Sequence, residues 1–92
     1  MPFETPALLT DHFDKHKDEF GVTTEEEYAA LAEAFCYGAI NPSVEVHVRT
    51  TDGATLRYNN ATNELGIIGR DSFIKTYFKP SAGRRYFLRK CV

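Results

Sequence analysis

Residues 44–59, VEVHVRTTDGATLRYN, decide the fold, because the apolar period changes here from helical to alternating. VEVHV puts Val44, Val46 and Val48 on one face of a strand, with Glu45 and His47 on the other. ATLRYN puts Leu56 and Tyr58 on one side and Arg57 on the other. A two-residue loop, Asp52-Gly53, sets Val48 opposite Arg57 and mixes the faces. A three-residue loop, Thr51-Asp52-Gly53, sets Val48 opposite Leu56 and His47 opposite Arg57. Both faces stay consistent in the second register, so it is the expected one.

Downstream, NNATN reads as a turn, ELGII as a third strand, GRD as a turn and SFIKTYF as a fourth strand. Pro80 to Gly83 break the chain, and RRYFLRKCV reads as a last strand or a frayed tail. Upstream the period is helical. Thr5-Pro6 is an N-cap with proline at the first helical position, and Gly21 suits the C-terminal stop. Leu9, Phe13, His16 or Lys17, and Phe20 recur at helical spacing between them. A second helix opens at Thr24 with a capping box closed by Glu27. Its apolar stripe is Tyr28, Leu31, Ala32 and Phe35, and Gly38 with Asn41-Pro42 ends it. The expected architecture is α+β, in one domain over 1–92. Helices at about 6–20 and 25–37 precede an antiparallel sheet of four to five strands over about 44–91.

Composition bounds the function. The chain has 92 residues, 42% hydrophobic and 13% aromatic, enough for one compact core. No stretch approaches the roughly 20 apolar residues of a bilayer helix. The opening MPFETP lacks a basic region followed by an apolar one, so no secretory signal is expected. Cys36 and Cys91 are too few for a disulfide framework and lack metal spacing. A reduced, cytoplasmic protein is expected, with one disulfide between the two cysteines as the alternative. The net charge of −2 hides a split. Residues 1–43 hold two Lys against nine acids, a balance of −7, and residues 44–92 hold nine Lys or Arg against four acids, +5. Such asymmetry permits a basic surface for a polyanion beside an acidic helical face.

The stretch HFDKHKDEFG, residues 12–21, holds the candidate chemistry. His16 lies near the buried stripe, where a packed, hydrogen-bonded imidazole is the ordinary reading. His12 is one turn earlier, so the two imidazoles lean the same way. Two histidines at i and i+4 need a third ligand to hold a metal, and no pattern supplies one, so neither metal nor cofactor is expected. Lys15 reads equally as a solvated residue paired with Glu19. Tyr77 and Phe78 read as core or edge aromatics. Arg84, Arg85, Arg89 and Lys90 form a basic tail that either grips phosphates or guards an edge strand.

HFDKHKDEFG is similar to the KH…(D/E)FG helix of colicin D-type anticodon nucleases, members of the barnase, EndoU, colicin and RelE-like group of metal-independent ribonucleases. LRYNNATNELGII followed by IKTYFKP resembles the strand, turn and strand that carry the rest of that family's site. The likeness spans roughly residues 12–80. It implies a small toxin ribonuclease acting on tRNA, with the anticodon loop as a target and a cognate immunity or antitoxin protein as a partner. By the same likeness His16 is the catalytic histidine, Lys15 its accompanying lysine and Thr76 the Ser or Thr of the site. Phe78 stands where the family has tryptophan, Arg57 is the basic residue of the RY strand, and His12 is supportive.

Cleavage without metal uses the 2′-hydroxyl of the RNA as nucleophile and leaves a 2′,3′-cyclic phosphate. It needs a base with a pKa near neutrality, and the ordinary histidine value of about 6.5 suits. It also needs cations on the phosphate, for which Lys15 and Arg57 are candidates, and a hydrogen-bond donor such as Thr76. Tyr77 or Phe78 can stack a base. The alternative is a non-catalytic protein- or RNA-binding module on the same fold.

Overall fold

The structure is a computed structural model and describes residues 3–91. Its elements run α1 (Pro6–Phe20), α2 (Glu25–Tyr37), β1 (Val44–Val48), β2 (Thr55–Asn59), β3 (Glu64–Ile68), β4 (Ile74–Phe78) and α3 (Arg84–Lys90). The four strands form an antiparallel meander in the order β1-β2-β3-β4. The α+β class read from the sequence therefore holds. Among the described residues no helix is long and apolar enough to cross a membrane.

Both long helices start and stop where local chemistry requires. Thr5 Oγ1 accepts from the Leu8 N–H, Pro6 opens α1, and Gly21 closes it in the left-handed region at φ 64°. At α2 the Thr24 hydroxyl accepts from the Glu27 N–H, and the Glu27 carboxylate accepts from the Thr23 and Thr24 N–H groups. The end of α2 is held differently. One nitrogen of the Arg57 guanidinium donates to the carbonyls of Phe35 and Gly38, at 3.1 and 2.8 Å, satisfying acceptors the helix leaves open.

Two clusters form the core, one on each face of the sheet. Phe13, Tyr28, Ala32 and Cys36 of the long helices pack on Ile68, Ile74 and Tyr77. The buried stripe of α2 is thus Tyr28, Ala32, Phe35 and Cys36, with Leu31 turned to solvent instead of inward. Gly66 lets α2 approach this closely, since a Cβ there would lie 2.7 Å from Cys36 Sγ. Burial pushes the Cys36 thiol up to about 12, so it stays protonated and inert. On the other face Ala54, Leu56, Tyr58 and Leu65 pack against Phe87 of α3.

This second cluster explains two corrections. The expected last strand over 84–92 is instead the helix α3 over its described part. Its residues are good helix formers, and Phe87 buries itself by stacking on Tyr58, ring centroids 5.6 Å apart. The β1–β2 register also differs from the expected one. Val46 faces Arg57, His47 faces Leu56 and Val48 faces Thr55. Asp52 sets the longer loop, bonding both the Arg49 guanidinium and the Ala54 N–H, while Gly53 takes φ 74°. Leu56 and Tyr58 then point to α3, and the valines of β1 share the opposite face with Arg57. One covered face would forbid this register; two permit it.

Arg84 ties α3 to β1 through a two-pronged ion pair with Glu45, at 2.6 and 2.8 Å. Arg84 and then Asn60 hold the Glu45 carboxyl at about 2. A depressed carboxyl stabilises the fold above its ordinary value near 4.5, and that contribution is lost as pH falls towards 2. Urea unfolding at pH 7, 4.5 and 3 should therefore show wild-type stability falling across the acid range. Glu45→Gln should flatten that loss, and an identical pH dependence in the variant would contradict the role given to this pair.

Candidate active site

His16 sits on α1 where the helix crosses the free edge of β4. Its side chain is 18% exposed. The ring lies 5.0 Å from Phe78 and 5.7 Å from His12, and Phe78 meets Tyr86 of α3 edge-on at 5.2 Å. His16, Phe78 and Tyr86 thus form a row of rings from α1 across the strand edge to α3.

Glu19, one turn along α1, orients the imidazole. One carboxylate oxygen lies 2.6 Å from His16 Nδ1, and the other accepts from the Lys79 N–H at 2.7 Å. Anchored to the backbone just past β4, the carboxylate holds the proton of a neutral ring on Nδ1. Nε2 is then a free base, with no hydrogen-bond partner among the described residues. Sequence reasoning gave Glu19 only as a partner of Lys15, although its spacing of three from His16 on one helix was a usable signal. It passed over Tyr86.

His12 lies deeper than His16. Burial, then the neighbouring His16, holds its pKa below the ordinary value, and its Nδ1 is buried with no hydrogen-bond partner among the described residues. Among the described residues no group of three or more His, Cys, Asp or Glu is placed to hold a metal ion.

The other sequence candidates scatter. Lys15 lies on the exposed shoulder of α1 and pairs at 3.0 Å with Asp11, not with Glu19. Arg57 lies on the helix-covered face, engaged with the end of α2 and away from the ring row. Tyr77 is fully buried, stacked on Phe20 at 4.5 Å with its hydroxyl on Glu64, and cannot offer a face to a base. Thr76 does not face the helix bearing His16. A bulge pairs Ile67 with Thr76 but Ile68 with Ile74, leaving Lys75 as the extra residue. Ile74 therefore points to the long helices, while Thr76 and Phe78 point to the α3 side.

On that side Thr76 lines an open groove of about 610 Å³ with Ile67, Ala54, Arg49, Arg70 and Lys75. Arg49 is bound to Asp52, and Lys75 to Asp71 and Glu4. Arg70 has no carboxylate partner among the described residues. Arg85, Arg89 and Lys90 on α3 have none either, and Arg89 and Lys90 lie 5.7 and 5.3 Å from the Tyr86 ring. The α3 side of the sheet therefore carries partly exposed aromatic rings, a hydroxyl and unpaired cations, and the oriented imidazole of α1 meets it at the β4 edge through Phe78. No protein-family model matches the sequence, and no curated protein matches it.

Proposed function

We propose that this chain is a metal-independent endoribonuclease of the toxin type, acting on tRNA, with the α3 side of the sheet as its RNA-binding surface. The observation that carries the reading is the pairing of His16 Nδ1 with Glu19, which leaves Nε2 free beside the Phe78–Tyr86 rings. The likeness of HFDKHKDEFG and IKTYFKP to colicin D-type nucleases supports the same assignment.

Neutral His16 takes the proton of a 2′-hydroxyl, the 2′-oxygen attacks the adjacent phosphorus, and the 5′-oxygen leaves. The products are a 2′,3′-cyclic phosphate and, once the leaving oxygen takes up a proton, a 5′-hydroxyl. Charge grows on the phosphate as this proceeds. Lys15 is one cation for it, because its exposed ion pair with Asp11 is weak enough to exchange. Arg70, Arg89 and Lys90 take the electrostatic role that the likeness gave to Arg57. Phe78 and Tyr86 stack unpaired bases, and Thr76 donates to a phosphate further along the groove. A toxin of this kind needs an immunity protein, and an acidic one complements this surface.

Incubation of tRNA with the protein in EDTA tests the reading. Discrete fragments ending in cyclic phosphate are expected, as is resistance of an RNA carrying a 2′-deoxy residue at the cut position. Intact RNA, or cleavage that chelator abolishes, would overturn it. Within the same assay Glu19→Ala should lower kcat by about 10²-fold with little change in KM, because the base is present but misdirected. Glu19→Gln should be at least as impaired, because an amide whose oxygen accepts from the Lys79 N–H turns its NH2 onto Nδ1 and moves the ring's proton to Nε2. Equal, negligible effects of both variants would remove Glu19 from the site.

A further inference from the structure

The two free edges of the sheet are treated differently. Along β4, Phe3 bridges to Ile74, the bulge at Lys75 interrupts the ladder, α1 lies alongside and Pro80 follows. These are ordinary devices against edge-to-edge pairing. Edge strand β1 carries neither proline, lysine nor bulge.

The hydrogen-bond phase shows which groups β1 leaves open. The Arg49 N–H donates to Ala54 O, and the Asn60 N–H donates to Ser43 O. Residues 43, 45, 47 and 49 therefore face β2, and the backbone groups of Val44, Val46 and Val48 point off the sheet. The Val44 N–H is taken by Asn41 O. Those of Val46 and Val48 have no partner among the described residues. The two valines are 44% and 59% exposed, on the same sheet face as α2, which leaves Leu31 exposed as well.

We propose that β1 pairs antiparallel with β1 of a second copy of this chain, about a two-fold axis at His47. In this register Val46 faces Val48 of the second copy, and every open N–H and C=O of the two valines finds its complement. The exposed valine side chains cover one another on one face. On the other face Glu45, already paired with Arg84, stands opposite Arg49 of the second copy, already paired with Asp52, so the two ion pairs join in a row of alternating charge. The edge thus complements itself in backbone, apolar surface and charge, which is why the occupant is a second copy. Two four-stranded sheets become one continuous sheet. This inference is independent of the nuclease reading.

Sedimentation equilibrium across the micromolar range tests it, with Val46→Pro and Val48→Lys beside the wild type. Proline at 46 removes an N–H that points away from β2, so the ladder within the monomer survives. Lysine at 48 places a charge in the pairing face. The wild type should show a monomer–dimer equilibrium, and each variant should weaken it at least about 10-fold with unchanged far-UV circular dichroism. If Val46→Pro loses its strand signal, Val48→Lys decides. A wild type that stays monomeric at the highest concentration, or a folded variant that dimerises as tightly as wild type, overturns the proposal.

Discussion

Replacing His16 by Ala should lower the rate of RNA cleavage by about 10²–10⁴-fold, the usual share of a general base. RNA binding and the fold should both survive. At the β4 edge the imidazole joins a free basic nitrogen to an orienting carboxylate. Its loss removes proton transfer while leaving Phe78, Tyr86 and the cations of α3 in place. The structural cost is small, because the ring is partly exposed and packs mainly on His12 and Phe78. His16→Gln should be similarly inactive, since it keeps polarity and much of the volume but has no basic nitrogen. Affinity for a labelled oligonucleotide, measured alongside the rate, separates chemistry from binding. Unchanged cleavage by either variant would reject His16 as the base.

Arg57→Ala should act the opposite way, costing about 2–4 kcal/mol of stability while sparing activity per folded molecule. The guanidinium holds the last turn of α2 by hydrogen bonds to the carbonyls of Phe35 and Gly38. Its loss strands those acceptors and opens the space between α2 and the sheet. Hydrogen bonds from a charged donor each contribute about 1.5–3 kcal/mol, and the aliphatic stem adds packing. Urea unfolding should show a lower midpoint with an unchanged slope. Full stability with lost cleavage would return Arg57 to the active site.

These variants mark where sequence reading reached and where it stopped. Both ends of α1 and the start of α2 were legible because caps are local. Thr5-Pro6, Gly21 and the Thr24–Glu27 box act over a few residues, and the structure uses each one. The four strands were legible for the same reason, their turns being marked by residues such as Gly53 and Asn63. The register of β1 was not. It depends on whether one or both faces of the sheet are covered, and that turns on Phe87 folding back as a helix. The bulge at Lys75 left no local mark, yet it sends Thr76 to the side opposite Ile74. The basic residues of the RRYFLRK segment were legible as charge, but not as a helix that sets Tyr86 against Phe78. His16 stood out at once, whereas Arg57 and Tyr77 could be placed only once the faces of the sheet were known.

The most direct test of the ring row as an RNA site is an NMR titration of the wild-type protein. The ligand is a single-stranded oligonucleotide carrying a 2′-deoxy residue at the cut position, so that it binds without being consumed. The account predicts that the signals of His16, Phe78, Tyr86 and Arg89 shift together and saturate together, with Thr76 following along the groove. Shifts confined to α2 and the Arg57 side of the sheet, or none at all, would contradict it.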